Sequence, residues 1–314
     1  MKVLVADKFP DIYIQQMKEK NLEVIYQPKL GENDLPEAAK DVDIIIVRST
    51  IVNEKTINDA QNLKMIIRAG SGVNNIDTKA ATAKKVYVTN CPGKNSIAVA
   101  ELAIGLMVAL DRRIPSNVID FKKGVWNKAE YSKANGLFGK TIGIIGTGNI
   151  GQEVAKRAKA FGMKVIGYDI VKAQDAEIEY QPSVEDVLKN ADVISIHLPS
   201  NAETKGMFNE KMLSLMKKGA LFINTSRHQV VNEDDLIKAI QEKGIKVGID
   251  VFAEEPEGKD GAVTSKLQQV DNVYVTHHIG ASTEQAQDAV AEETVRIIAE
   301  FVDKKNIINA VNKF

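Results

Sequence analysis

Residues 141–151 read Thr141-Ile142-Gly143-Ile144-Ile145-Gly146-Thr147-Gly148-Asn149-Ile150-Gly151, and apolar residues at helical spacing follow at Val154, Ala155, Ala158 and Phe161. The first five make an apolar run of strand length, and the next six make a G-x-G-x-x-G turn. Gly146 allows the tight turn, Gly148 lets the main chain approach a pyrophosphate, and Gly151 lets the helix pack close to the strand. Unpaired N–H groups at the helix start favour an anion. A glycine turn alone is weak evidence. Here the next apolar run, 164–168, ends in Asp169, 18 residues after Gly151, where a carboxylate accepts both ribose hydroxyls and repels a 2′-phosphate. Residues 141–169 therefore predict a dinucleotide-binding βαβ unit that prefers NAD to NADP.

On both sides of this unit, short β-branched runs alternate with longer segments at helical spacing, the pattern of parallel sheets in an α/β fold. One series is 3–6, 23–26, 43–47, 64–68 and 86–89; the other is 141–145, 164–168, 192–196, 220–224, 246–250 and 273–276. Most are continuously apolar, as strands covered on both faces should be. Between the series lies a long helical pattern, 96–122, with Ala98, Leu102, Leu106 and Leu110 on one stripe, Ser96 as its expected N-cap and Pro115 as an interruption. A second runs from 282 to about 302 and returns the chain to the first series. The expected architecture is two Rossmann-like or flavodoxin-like parallel-sheet domains with a cleft between them: a discontinuous substrate domain, 1–95 plus 283–314, and an NAD-binding domain, 96–282.

Composition narrows the class. A chain of 314 residues exceeds the usual size of one core. With 41 Lys+Arg against 42 Asp+Glu there is no basic field for nucleic acid or an anionic membrane surface. The longest apolar stretch, near 99–110, contains Glu101 and is too short to span a bilayer. One cysteine, Cys91, makes neither a disulfide framework nor a Cys-rich metal site, and no signal-peptide pattern opens the chain, so a reducing cytoplasm is the expected compartment.

Strand ends of the second series carry Arg227, Glu255 and His278, three groups far apart in sequence that an open parallel sheet could bring to one crevice. Around them the chain reads Asn224-Thr225-Ser226-Arg227, Asp250-Val251-Phe252 with Glu255-Pro256, and His278-Ile279-Gly280-Ala281-Ser282-Thr283; in the first series Arg68-Ala69-Gly70-Ser71-Gly72-Val73-Asn74-Asn75-Ile76-Asp77 follows a strand. Together with the 146–151 turn these motifs resemble the D-isomer-specific 2-hydroxyacid dehydrogenases over nearly the whole chain. The resemblance implies that Arg227, Glu255 and His278 are the catalytic set. It implies that NAD is held by Gly146, Thr147, Gly148, Asn149, Ile150, Gly151, Asp169, Thr225 and Asp250, the last near the nicotinamide carboxamide. It also implies no metal and a homodimer.

The chemistry suits those residue types. Oxidising a secondary alcohol removes a hydroxyl proton as hydride leaves the same carbon, and an imidazole of near-neutral pKa is the natural base, His278. A carboxylate bonded to that ring, Glu255, stabilises its protonated form and fixes its orientation. Arg227 offers a bidentate fork to the substrate carboxylate. Main-chain N–H groups at Ser71, Gly72 and Val73 would meet the same carboxylate, with Asn95 close by. Arg48, at a strand end in Ile46-Val47-Arg48-Ser49-Thr50, is the candidate partner for a substrate phosphate, making the expected partner a phosphorylated 2-hydroxy acid. Three positions depart from the family pattern: His228-Gln229 in place of glycines, His277 in place of proline, and Asn74 in place of an acid. The two adjacent histidines, 277 and 278, are expected to point to opposite sides of an extended segment and form no metal pair. A reductase of hydroxypyruvate or glyoxylate would use the same groups without a phosphate site; an NAD-sensing transcriptional corepressor on the same fold is the remote alternative.

Overall fold

A computed structural model of the chain describes residues 1–173, 177–256 and 261–314. They form two compact units, Met1–Asn95 with Ser282–Phe314, and Ser96–Ala281.

The first unit is built on β1 (Lys2–Val5), β2 (Glu23–Tyr26), β3 (Ile44–Val47), β4 (Met65–Arg68) and β5 (Tyr87–Asn90), all parallel, in the order β2-β1-β3-β4-β5. Side chains alternate across the sheet: Val3, Val5, Ile44, Ile46, Met65 and Ile67 enter one core, Leu4, Ile45, Val47 and Ile66 the other. That double burial explains why the strands read as unbroken apolar runs, each such side chain contributing about 1.5–3 kcal/mol. The helix Glu284–Lys304 closes the first of these cores with Val290, Val295, Ile297 and Ile298. Its N-cap is Thr283, whose Oγ1 accepts the Ala286 N–H at 3.1 Å.

The second unit carries β6 (Thr141–Ile145), β7 (Lys164–Tyr168), β8 (Glu179–Tyr180), β9 (Val193–Ile196), β10 (Leu221–Asn224), β11 (Lys246–Ile249) and β12 (Val273–Val275), parallel and ordered β12-β11-β10-β9-β6-β7-β8. Chain order reverses at β6, so the turn after β6 lies at the switch point where open α/β sheets bind ligands. In the first unit the corresponding point lies at the ends of β1 and β3.

Each strand expected from the sequence is present to within a residue at either end. The edge strand β8 was not expected: it is two residues long and half polar. The helical stretch 96–122 is two helices, Ser96–Arg112 and Ile114–Lys122, broken at Arg113 in the left-handed region (φ 50°). Pro115 does not interrupt; it lies in the first turn of the second helix, where a missing N–H is harmless. Ser96 is the first helical residue and no cap, its Oγ buried without a partner. Among the described residues no helix is long and apolar enough to cross a membrane.

Candidate active site

β11 runs directly into Asp250, which is 2% exposed. Its Oδ1 accepts the Thr276 hydroxyl at 2.5 Å and the Ile279 N–H at 2.9 Å, its Oδ2 accepts Gly280 N–H at 2.8 Å, and its carbonyl accepts His278 N–H at 3.0 Å. These four bonds draw the segment after β12 into a tight turn and hold His278 at φ 50°, a left-handed backbone that costs an ordinary residue about 1–2 kcal/mol. His278 is therefore not on an extended segment, as its spacing from β12 had implied.

The turn presents a ring whose side chain is 56% exposed, with Nδ1 2.7 Å from Glu255 Oε2. The other Glu255 oxygen accepts Phe252 N–H at 3.0 Å, so both oxygens of the carboxylate are committed and its orientation is set. The hydrogen bond to Glu255 raises the His278 pKa, against partial burial; the charges of Glu255 and Asp250 raise it further, and that of Arg227 opposes them. Burial would raise Glu255, but His278 and the Phe252 N–H outweigh it and leave it below the usual range. With Nδ1 engaged, Nε2 is the nitrogen free to exchange a proton with a substrate.

Arg227 follows a second polar strand end. Asn224, 1% exposed, accepts Ser226 N–H at 3.0 Å and Ser226 Oγ–H at 2.8 Å on Oδ1, and donates from Nδ2 to the Arg227 carbonyl at 3.0 Å. One terminal guanidinium nitrogen, Nη1, donates to the Ser226 carbonyl at 2.7 Å and holds the group against its own main chain. Beside it, burial lowers the pKa of His228, against the pull of Glu255 and Glu254.

The glycine turn separates into packing and ligand positions. A Cβ on Gly151 would lie 2.1 Å from the Gly146 carbonyl, and one on Gly146 (φ 91°) 2.5 Å from the His197 carbonyl. Gly148 differs: a Cβ there would meet nothing within 4 Å, so protein packing gives no reason for its glycine. Gly148 is also the N-cap of the helix Asn149–Ala160 and offers no side-chain cap, leaving that helix's first N–H groups open. Asp169 Oδ2 accepts Thr147 N–H at 2.6 Å, tying the acid at the end of β7 to the turn after β6. Thr225 Oγ1 is buried with no hydrogen-bond partner. An uncapped helix start, an open glycine, an adjacent acid and an orphaned hydroxyl fit a dinucleotide. His197, at the end of β9, is paired at Nε2 with Ser195 Oγ (2.9 Å) and buried at Nδ1 without a partner, and burial lowers its pKa to about 3, a neutral ring.

In the first unit Arg48 and Ser49 are organised by an acid that sequence reasoning missed. Asp7, 6% exposed, follows β1 and accepts Arg48 N–H (2.7 Å), Ser49 N–H (2.9 Å) and Thr50 N–H (2.9 Å) on Oδ2, and Ser49 Oγ–H (3.0 Å) on Oδ1. Burial works against its charge, yet these bonds hold its pKa below the usual value. The Arg48 side chain is half-exposed. Ser71 Oγ donates to Asn95 Oδ1 at 2.8 Å, and Asn90 Nδ2 donates to the Ser71 carbonyl at 2.5 Å. Gly72 and Val73 are likewise half-exposed. Asp7, Asn224 and Asp250 share one signal, a polar residue ending an apolar strand run.

The model of the D-isomer specific 2-hydroxyacid dehydrogenase NAD-binding domain matches residues 104–280. The chain belongs to this family. It is 41% identical, over 99% of its length, to a D-3-phosphoglycerate dehydrogenase of Methanocaldococcus jannaschii, and spans about 60% of the length of that protein. It is also 41% identical, over 90% of its length, to a hydroxypyruvate reductase of Thermotoga maritima, covering 92% of it. Among solved structures, the NAD+-bound 3-phosphoglycerate dehydrogenase of Entamoeba histolytica matches with a TM-score of 0.83 at 29% identity, over 100% of this chain and 99% of that one.

Proposed function

We propose that the protein is an NAD-dependent oxidoreductase that oxidises 3-phosphoglycerate to 3-phosphohydroxypyruvate, in serine biosynthesis, in the cytoplasm. The observation that carries the chemistry is the His278–Glu255 pair at 2.7 Å. Bound NAD supplies the hydride acceptor. His278 Nε2 takes the hydroxyl proton as the C2 hydride departs, and Glu255 stabilises the imidazolium that results. Arg227 pairs with the substrate carboxylate and polarises the carbonyl in the reverse direction. Ser71, Gly72, Val73 and Asn95 are assigned to that carboxylate, Arg48 to the phosphate. Asp169, carrying the preference for NAD, should be tested directly: Asp169→Ala is expected to weaken NADH binding by about tenfold while NADPH binding changes less, narrowing the preference.

The choice of substrate is supported by the methanogen relative and by the half-exposed Arg48 cation. A second reading, hydroxypyruvate reductase, is favoured by the equally identical relative from Thermotoga, whose length is almost fully covered. NADH production from 3-phosphoglycerate and from D-glycerate separates the two. Arg48→Ala is expected to raise KM for 3-phosphoglycerate about ten- to hundredfold, since one partner of a charged pair is lost, and to leave D-glycerate turnover nearly unchanged. Turnover of the unphosphorylated acid alone would decide for the reductase.

A homodimer is the proposed assembly. The helix Ile114–Lys122 buries none of its residues, and Ile119 (51% exposed), Phe121 (73%) and Trp126 (81%) leave apolar surface that a second copy would cover.

A further inference from the structure

β8 brings one side chain to the cofactor turn that the chemistry above does not use. Tyr180 Oη lies 2.8 Å from Ala173 N and 2.9 Å from Thr147 Oγ1. A main-chain N–H only donates, so Tyr180 accepts from Ala173; because the one Thr147 hydroxyl proton goes to Asp169, the Tyr180 hydroxyl is the donor to Thr147. The Thr147 hydroxyl, in a residue 1% exposed, then directs its proton to Asp169 Oδ2 at 3.4 Å. The result is a one-way chain of donors, Ala173 to Tyr180 to Thr147 to Asp169, that ends on the carboxylate. Asp169 Oδ1 also accepts Val171 N–H at 3.2 Å, so the segment after β7 is tied at both ends of the chain. Over the same phenol ring stands Lys172 Nζ, 5.5 Å from the centroid. Lys172 is the cation three residues past Asp169, and a 2′-phosphate would recruit it if it were released.

We propose that Tyr180 is a specificity-determining residue for the cofactor: through Thr147 and Ala173 it fixes the segment that aims Asp169 at the ribose, and on its ring it retains a cation, Lys172, that would otherwise neutralise a 2′-phosphate. This rests on the reading of Asp169 given above. The two halves of the role are separable, because Phe keeps the ring and loses the hydroxyl, whereas Leu loses both.

The test is direct binding of NADH and NADPH, followed by nicotinamide fluorescence without substrate. Wild type should prefer NADH. Tyr180→Phe is expected to reduce the ratio of the NADPH to the NADH Kd about three- to tenfold, the range for losing one or two neutral hydrogen bonds. Tyr180→Leu should reduce it further, chiefly by tighter NADPH binding, and adding Lys172→Ala to Tyr180→Leu should remove that further gain. Lys172→Ala alone should change neither Kd. If wild type prefers NADH but both Tyr180 variants keep its ratio, or weaken both cofactors equally, the proposal is overturned while the Asp169 reading stands. A wild type with no preference would overturn the Asp169 reading, and this proposal with it.

Discussion

Replacing His278 with Asn should lower kcat by roughly 10²–10⁴, the range for losing a general acid or base, while NADH affinity stays close to wild type. Asn retains a polar group and tolerates the left-handed backbone at φ 50° better than most residues, so the turn held by Asp250 should survive. Glu255→Gln should act through pH. His278 must be neutral to take the alcohol proton, so oxidation gains rate as pH rises through its folded pKa, and reduction of the 2-oxo acid loses rate over the same interval. Glu255 raises that pKa, chiefly by its hydrogen bond. Without the charge the oxidative limb should move to lower pH, and the reductive reaction should fail at lower pH than in wild type. Pair stability follows the same sign: what the raised His278 pKa adds to folding is present below the unfolded value and is lost as pH rises through the folded one. pH–rate profiles in both directions check this. Near-normal kcat across the pH range without His278 would remove it from the mechanism and turn attention to His228 or His277.

The second large effect distinguishes two glycines three residues apart. Gly151→Ala places a methyl 2.1 Å from the Gly146 carbonyl, a main-chain atom between β6 and its helix that has nowhere to go. It should destabilise the second unit by about 3 kcal/mol or more, the upper end of overpacking, and thermal melting would show it. Gly148→Ala adds a methyl that meets no protein atom, at a φ of −66° that alanine adopts freely. It should melt as wild type does and bind NADH at least about tenfold more weakly, because the methyl enters the space a pyrophosphate needs. Equal NADH affinity in wild type and Gly148→Ala would place the pyrophosphate elsewhere.

The central strands were legible because they are buried on both faces, which forces a run such as Ile44-Ile45-Ile46-Val47 to be apolar throughout. β8 was not, since two residues at an edge, one of them an exposed Glu179, impose no pattern. The helix break at Arg113 carried no glycine or proline of its own; Pro115 was visible, but its place in a first turn depends on where the helix restarts. At the site, the groups assigned to ligands are readable as polar types at strand ends, Asp250 among them. The bonds that aim their neighbours were not, because the partners are main-chain atoms remote in sequence: Asp7 grips N–H groups 41 to 43 residues away, and Asp250 grips those 29 and 30 away. No local pattern records a bond of that kind.

The Asp250 turn also explains how the chain dispenses with a proline before its histidine. A proline at 277 would pre-set one backbone angle and spare the unfolded chain some entropy, worth about 0.4–1 kcal/mol. Here two carboxylate oxygens and a carbonyl, all from one buried residue, perform that restraint on the N–H groups of 278, 279 and 280. Because they hold main-chain atoms, the restraint is indifferent to which side chains occupy 277 and 279. His278 is seated in a socket made of backbone, and the side chains at 277 and 279 are at liberty to change while it stays where it is.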